Sequence, residues 1–166
     1  MGQAATQIAN WKRARVIGAD VSSDPIPGTV SVVNTGTEDL RAKVLDLTAG
    51  KGVDVVFDTV AGSMFEPALR SLSDGGRQVV ISSSREPRVS FNLIEFYHNF
   101  SRLLGADSYG LSSQQVREIA GELRPGFESG VLKPPAIEIV AFEKVVDAYN
   151  RIAAGLAKTK QVRSFE

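Results

Sequence analysis

Cysteine is absent from this 166-residue chain, and histidine occurs once, at His98. The first absence excludes disulfides, thiol nucleophiles and thiolate metal sites. The second excludes a cluster of imidazole ligands, so no metal site is expected in the chain itself. An excess of charge is missing too, because 19 Lys and Arg are balanced by 19 Asp and Glu. Neither nucleic acid nor an anionic membrane is therefore expected as a partner. No apolar run approaches the roughly 20 residues that span a bilayer, and the N-terminus lacks a charged region followed by an apolar one. Together these absences read as a cytoplasmic protein. What is present is a 43% apolar composition, enough for a buried core and one domain of ordinary size.

The rest of the chain is organised around residues 1–20. After Gly2, the residues Ala4, Ala5, Ile8, Ala9 and Trp11 recur mostly at helical spacing, and a short apolar run over 14–19 ends on Asp20. In a dinucleotide-binding unit the last glycine of the phosphate loop opens a helix and the helix leads into the second strand. An acid at that strand's tip accepts hydrogen bonds from the adenosine ribose. Gly2 precedes Asp20 by 18 positions, near the roughly 20 expected. The preceding strand and the first two glycines of the G-x-G-x-x-G loop have no counterpart in the sequence. Methyltransferases also place an acid at this strand tip, so an adenosyl-methionine type of ligand stays open as a weaker alternative.

Residues 21–28 read as loop from their Ser, Pro and Gly content, and 29–33 as a strand. Thr37 is expected to cap a helix that buries Leu40, Val44 and Leu47 and ends at Gly50. The β-branched run 53–57, closed by Asp58, has the pattern of a strand covered on both faces in a parallel sheet. Ser63 and Glu66 have capping-box spacing, and Phe65, Ala68, Leu69 and Leu72 read as one helix stopped by Gly75-Gly76. A buried strand follows over 78–81 and ends in Ser82, Ser83 and Ser84.

Beyond it the alternation loosens. Residues 93–100 suggest a short aromatic-rich helix, 102–107 a sixth strand, and Ser112 or Ser113 the start of a helix that Pro125-Gly126 breaks or kinks. Residues 137–140 read as a strand and 142–154 as a helix with Phe142, Val145, Val146, Tyr149, Ile152 and Ala153 inward. The tail, 158–166, has too few apolar residues for a strand. Regular alternation over residues 2–81 predicts an α/β fold, a doubly wound parallel sheet lacking its first strand, with a short C-terminal strand, helix and tail. The missing strand would leave two facing edges unpaired. A re-registered sheet, the tail near 161–165, or a partner chain is expected to close that gap. Ligands of such sheets bind beyond the carboxyl ends of the strands, where Asp20, Asp58, Thr59, Val60, Gly62, Ser82 and Ser83 fall.

The blocks 2–20, 52–62 and 72–84, with the Asp74-Gly75-Gly76-Arg77 turn, resemble the coenzyme domain of the medium-chain alcohol dehydrogenase and quinone oxidoreductase superfamily. Residues 103–106, 130–134 and 142–155 resemble the continuation of those enzymes, so the likeness covers nearly the whole chain. The resemblance implies a Rossmann-like domain over 1–130 and, over 131–166, a return segment of a catalytic part that the sequence does not contain. It implies hydride transfer between a nicotinamide cofactor and a small carbonyl, alcohol or alkene. Asp20 would hold the ribose diol and favour NAD over NADP, whose 2′-phosphate it repels; NADP stays open. The segment 58–62 would pass the riboses, and 82–84 would lie near the nicotinamide, with Gly2 as the surviving loop glycine. An edge strand near 103–106 implies a homodimer.

The alternative is a truncated, non-enzymatic module that dimerises and binds cofactor weakly or not at all. Ordinary structural roles also fit the individual residues: Asp58 as a turn cap, Ser82 to Ser84 satisfying loop backbone, and His98 packed among aromatics or on the surface. Tyr149 lies on an apolar stripe, Tyr109 is a weak candidate proton donor, and Arg85 and Arg88 read as solvated loop. No catalytic residue is assigned.

Overall fold

A computed structural model describes residues 1–82, 87–157 and 159–164. The first helix, α1 (Gly2–Trp11), ends where Arg13 turns into the left-handed region at φ 62°. Strand β1 (Ile17–Asp20) then runs parallel to β2 (Ser31–Asn34), in a register that sets Asp20 opposite Asn34. Helix α2 (Leu40–Leu47) packs on β2 with Val44 buried. Its cap is Asp39, whose Oδ1 accepts the Ala42 N–H at 2.7 Å, and not the expected Thr37. Asn34 and Glu38 organise the turn ahead of it, so the helix starts two residues later.

A second sheet carries β3 (Val53–Asp58), β4 (Leu72–Val80) and β5 (Arg102–Gly105), all parallel, in that order. Between β3 and β4 lie one 3-10 turn (Gly62–Met64) and α3 (Phe65–Leu69). The Ser63–Glu66 capping box does not form, because Glu66 instead accepts the Asn92 N–H at 2.9 Å. Leu72, expected to end the helix, opens β4 by pairing with Val53, and the Ser73-Asp74-Gly75-Gly76 excursion shifts the register so that Val55 faces Arg77. The core is Phe65, Leu69 and Leu72, backed by Val53, Val56, Val80, Leu103, Phe91 and Phe96, the last from α4 (Leu93–His98). The Phe91 ring lies tilted at 6.0 Å from Phe65 and edge-on at 5.3 Å from Phe96.

Strand β3 is not covered on both faces as its composition predicts, since Val55 and Phe57 are 43% and 45% exposed. Among the described residues no strand closes the expected gap either. Strand β1 bonds only to β2 and β3 only to β4, in separate sheets among the described residues. The tail does form a strand, β7 (Lys160–Arg163), but it pairs in parallel with β6 (Ile137–Val140). Gln161 and Thr159 both donate to Glu138 on β6, at 2.7 and 3.2 Å, and polar pairing thus supplies what apolar content does not.

Helix α5 (Ser113–Glu128) starts with a complete Ser112–Gln115 capping box and runs through Pro125. The expected break fails because proline removes one hydrogen bond, while the helix end is anchored by Gly126, buried against Leu132 and Trp11. Helix α6 (Val145–Ala153) follows a 3-10 turn (Phe142–Lys144). Its predicted inward stripe faces out: Val146 and Tyr149 are 70% and 69% exposed, and Phe142 and Ile152 are exposed as well. Only Ala148 of this helix is buried, and the Arg163 guanidinium of β7 lies 5.1 Å over the exposed Phe142 ring.

Candidate functional site

Strands β1 and β2 run parallel in one sheet, and β3, β4 and β5 run parallel in another. Ligands of open α/β sheets bind beyond the carboxyl ends of the strands. At the tip of β1, Asp20 is exposed. Its backbone carbonyl accepts from Thr35, N–H at 2.8 Å and hydroxyl at 3.1 Å, which fixes the tip. Its carboxylate has no hydrogen-bond or ion-pair partner among the described residues. Beside it the Asn34 amide donates to Ser23 Oγ at 3.1 Å and its Oδ1 accepts the Gly36 N–H at 2.9 Å. Gly2 opens α1 with free space where a Cβ would stand, and no side chain caps that helix.

At the tip of β3, Asp58 is buried and fully engaged by the chain itself. Its Oδ1 accepts the Val60 and Ala61 N–H groups at 2.9 and 2.7 Å, and its Oδ2 accepts the Gln78 amide at 2.8 Å. These bonds set the turn that carries Thr59, Val60 and Gly62, with Val60 exposed at its rim. Ser82 is half-buried just past β4. Ser83, Ser84 and Arg85 lie outside the described residues.

The structure thus brings Asp20, the 59–62 turn and Ser82 to the carboxyl ends of the strands. His98 is exposed with its ring 4.7 Å from that of Tyr97, and Arg88, Tyr109 and Tyr149 are exposed too. No group of three or more His, Asp or Glu side chains among the described residues is placed to hold a metal ion. The residue that sequence reading missed is Gln78. Its one signal was a polar side chain inside the run Gln78-Val79-Val80-Ile81, where a buried strand position calls for a hydrogen-bond partner. A separate open polar groove, lined by Arg41, Arg70, Glu66, Glu95 and Asn92, lies near the amino ends of β4 and β5 and holds an Arg70–Glu95 ion pair of 2.7 Å.

Known proteins match this arrangement. Residues 1–123 fit the family model described as zinc-binding dehydrogenase. Quinone oxidoreductase of Homo sapiens is 25% identical over 164 residues, which cover 96% of this chain and 49% of that protein. The Mus musculus quinone oxidoreductase is 28% identical over 96% of this chain and 50% of its own length. The crystal structure of the Pseudomonas syringae pv. Tomato DC3000 quinone oxidoreductase superposes with a TM-score of 0.80 at 26% identity, over 98% of this chain and 52% of that one. The chain spans about half the length of the relatives it matches. No helix among the described residues is long and apolar enough to cross a membrane. Matched over most of its length by one family model, the chain belongs to the zinc-binding dehydrogenases, a family of nicotinamide-dependent oxidoreductases.

Proposed function

We propose that this chain is the coenzyme-binding part of an oxidoreductase of the alcohol dehydrogenase, quinone reductase or enoyl reductase type. The observation that carries the reading is the uncommitted Asp20 carboxylate at the tip of β1. Two carboxylate oxygens accept from the two hydroxyls of a ribose diol. A 2′-phosphate in the same place meets a like charge, so NAD is the preferred cofactor over NADP. The open, uncapped start of α1 at Gly2 suits a pyrophosphate, whose charge the first-turn N–H groups favour.

The bound cofactor supplies hydride exchange with a carbonyl, alcohol or alkene. The chain's own residues bind and orient: Asp20 the adenosine ribose, the 59–62 turn after Asp58 the riboses that pass it, and the hydroxyls of Ser82 and Ser83 the nicotinamide side. The division at residues 130/131, a homodimer through β5 and a cytoplasmic location belong to the same reading. The substrate pocket and the catalytic groups are assigned to the other half of the relatives' length.

A second reading, a folded module without enzymatic activity, draws on the unpaired edges of β1 and β3 and the exposed stripe of α6. Titration of the chain with NADH and NADPH, followed by cofactor fluorescence and thermal midpoint, separates the two. A ligand at 100 times its dissociation constant adds about 2.7 kcal/mol of stability. Saturable NADH binding, tighter than NADPH and weakened by Asp20→Ala, supports the coenzyme reading. No binding of either cofactor at millimolar concentration leaves the second.

A further inference from the structure

Gln78 stands opposite Val56 on β4 and is 0% exposed. A strand buried between neighbours ordinarily carries an apolar side chain at such a place. Here the amide Nε2 donates to Asp58 Oδ2 at 2.8 Å and reaches the Phe65 carbonyl at 3.4 Å. Both neighbours only accept, so the NH₂ end must face them. That orientation leaves Oε1 without a hydrogen-bond partner among the described residues. A buried orphan oxygen destabilises a fold, so stability alone does not account for glutamine at this position.

What the amide achieves is at the other oxygen of Asp58. With Oδ2 held by Gln78, Oδ1 is aimed at the Val60 and Ala61 N–H groups. The turn they form holds Ala61 at φ 52°, ψ −141°, a backbone conformation left almost entirely to glycine. Such strain persists only where the surroundings over-determine it, and it gathers at ligand sites. This turn sits just past the carboxyl end of β3.

We propose that Gln78 is a positioning residue for the cofactor: acting through Asp58, it fixes the strained 59–62 turn as a rigid wall against the nicotinamide half. The inference rests on the coenzyme reading above. Gln78 touches no ligand itself. It removes slack from the backbone that does.

The test compares NADH with ADP on the 166-residue chain, because ADP keeps the adenosine and pyrophosphate and lacks both the second ribose and the nicotinamide. Gln78→Met preserves length and burial and deletes the donor. It is expected to raise the NADH dissociation constant about tenfold while ADP stays within about twofold. Ala61→Gly relaxes the turn without touching the β3–β4 core, and it decides the matter if Gln78→Met does not fold; the same selective loss is expected. A parallel loss of both ligands, or no loss of NADH, overturns the positioning role and leaves the coenzyme reading standing. A wild-type chain that binds ADP alone overturns it as well. A wild-type chain that binds neither ligand overturns the coenzyme reading and this inference together.

Discussion

Gln7 and Lys133, 126 positions apart, hold each other by two hydrogen bonds: the Gln7 amide donates to the Lys133 carbonyl at 3.2 Å and accepts the Lys133 N–H at 2.8 Å. A side-chain amide here imitates a strand partner for one residue of backbone. It ties α1 to the chain just as it leaves α5, where Leu132 is buried against Gly126. Gln7→Ala removes both bonds and is expected to cost about 1–2 kcal/mol, since each net hydrogen bond contributes about 1 kcal/mol. A lowered urea midpoint with unchanged slope, and faster hydrogen exchange at the Lys133 amide, check it.

The neighbouring problem is what sequence reading sees and what it does not. Gly2, the helix and Asp20 were legible because a glycine, a helical repeat and a terminal acid recur at a set distance. Val44 and Phe65 were legible as core for the same local reason. Leu72 was not: its helical spacing from Leu69 is real, but pairing with Val53 outweighs it. The stripe on α6 is apolar by its spacing yet faces out, because burial depends on an opposing surface that no local pattern encodes. Strand β7 escaped because Glu138, Gln161 and Thr159 make it by side-chain hydrogen bonds. Asp58 was visible as a strand-end acid, whereas its partner Gln78 is 20 positions away and only the register of β3 on β4 joins them.

Two glycines with the same φ of +80° separate backbone strain from lack of room. A Cβ on Gly50 meets nothing within 4 Å, whereas one on Gly52 lies 2.7 Å from the Ser71 carbonyl oxygen and 2.8 Å from Leu72 backbone. Gly50→Ala is expected to cost about 1 kcal/mol, the ordinary penalty for the left-handed conformation. Gly52→Ala adds a clash with backbone that pairs with β3, and a loss of at least about 2 kcal/mol is expected. Equal losses in denaturant titrations of the two variants would count against the stated contacts.

Among the described residues strand β5 pairs on one side only, with β4, and Leu104 on it is exposed. An edge of this kind favours pairing with a second copy. Sedimentation equilibrium is expected to give a dimer for the wild-type chain and a monomer for Leu104→Lys, with the monomer's far-ultraviolet circular dichroism unchanged. A wild-type monomer at concentrations of tens of micromolar, on the order of common complexes, rejects β5 as the dimer seam.

Glu138 links β6, β7 and α6 through one carboxylate, which accepts from Gln161 and Thr159 and pairs with Arg151 at 3.1 Å. The Gln161 amide first, then Arg151 and Thr159, hold its carboxyl below the ordinary glutamate value. A carboxyl lowered by folding contributes stability above its unfolded value and loses that contribution as pH falls through its folded value. The pairing of β7 on β6 is therefore expected to weaken on acidification below the ordinary glutamate range, with no change between neutral pH and that range. Hydrogen exchange at the Val162 amide, taken as the ratio of wild type to Glu138→Gln so that intrinsic pH effects cancel, reads it directly. The ratio should show the wild type better protected at neutral pH and converge on the variant in acid. A ratio that stays flat across the acid range would falsify the link between this carboxylate and the β6–β7 pair.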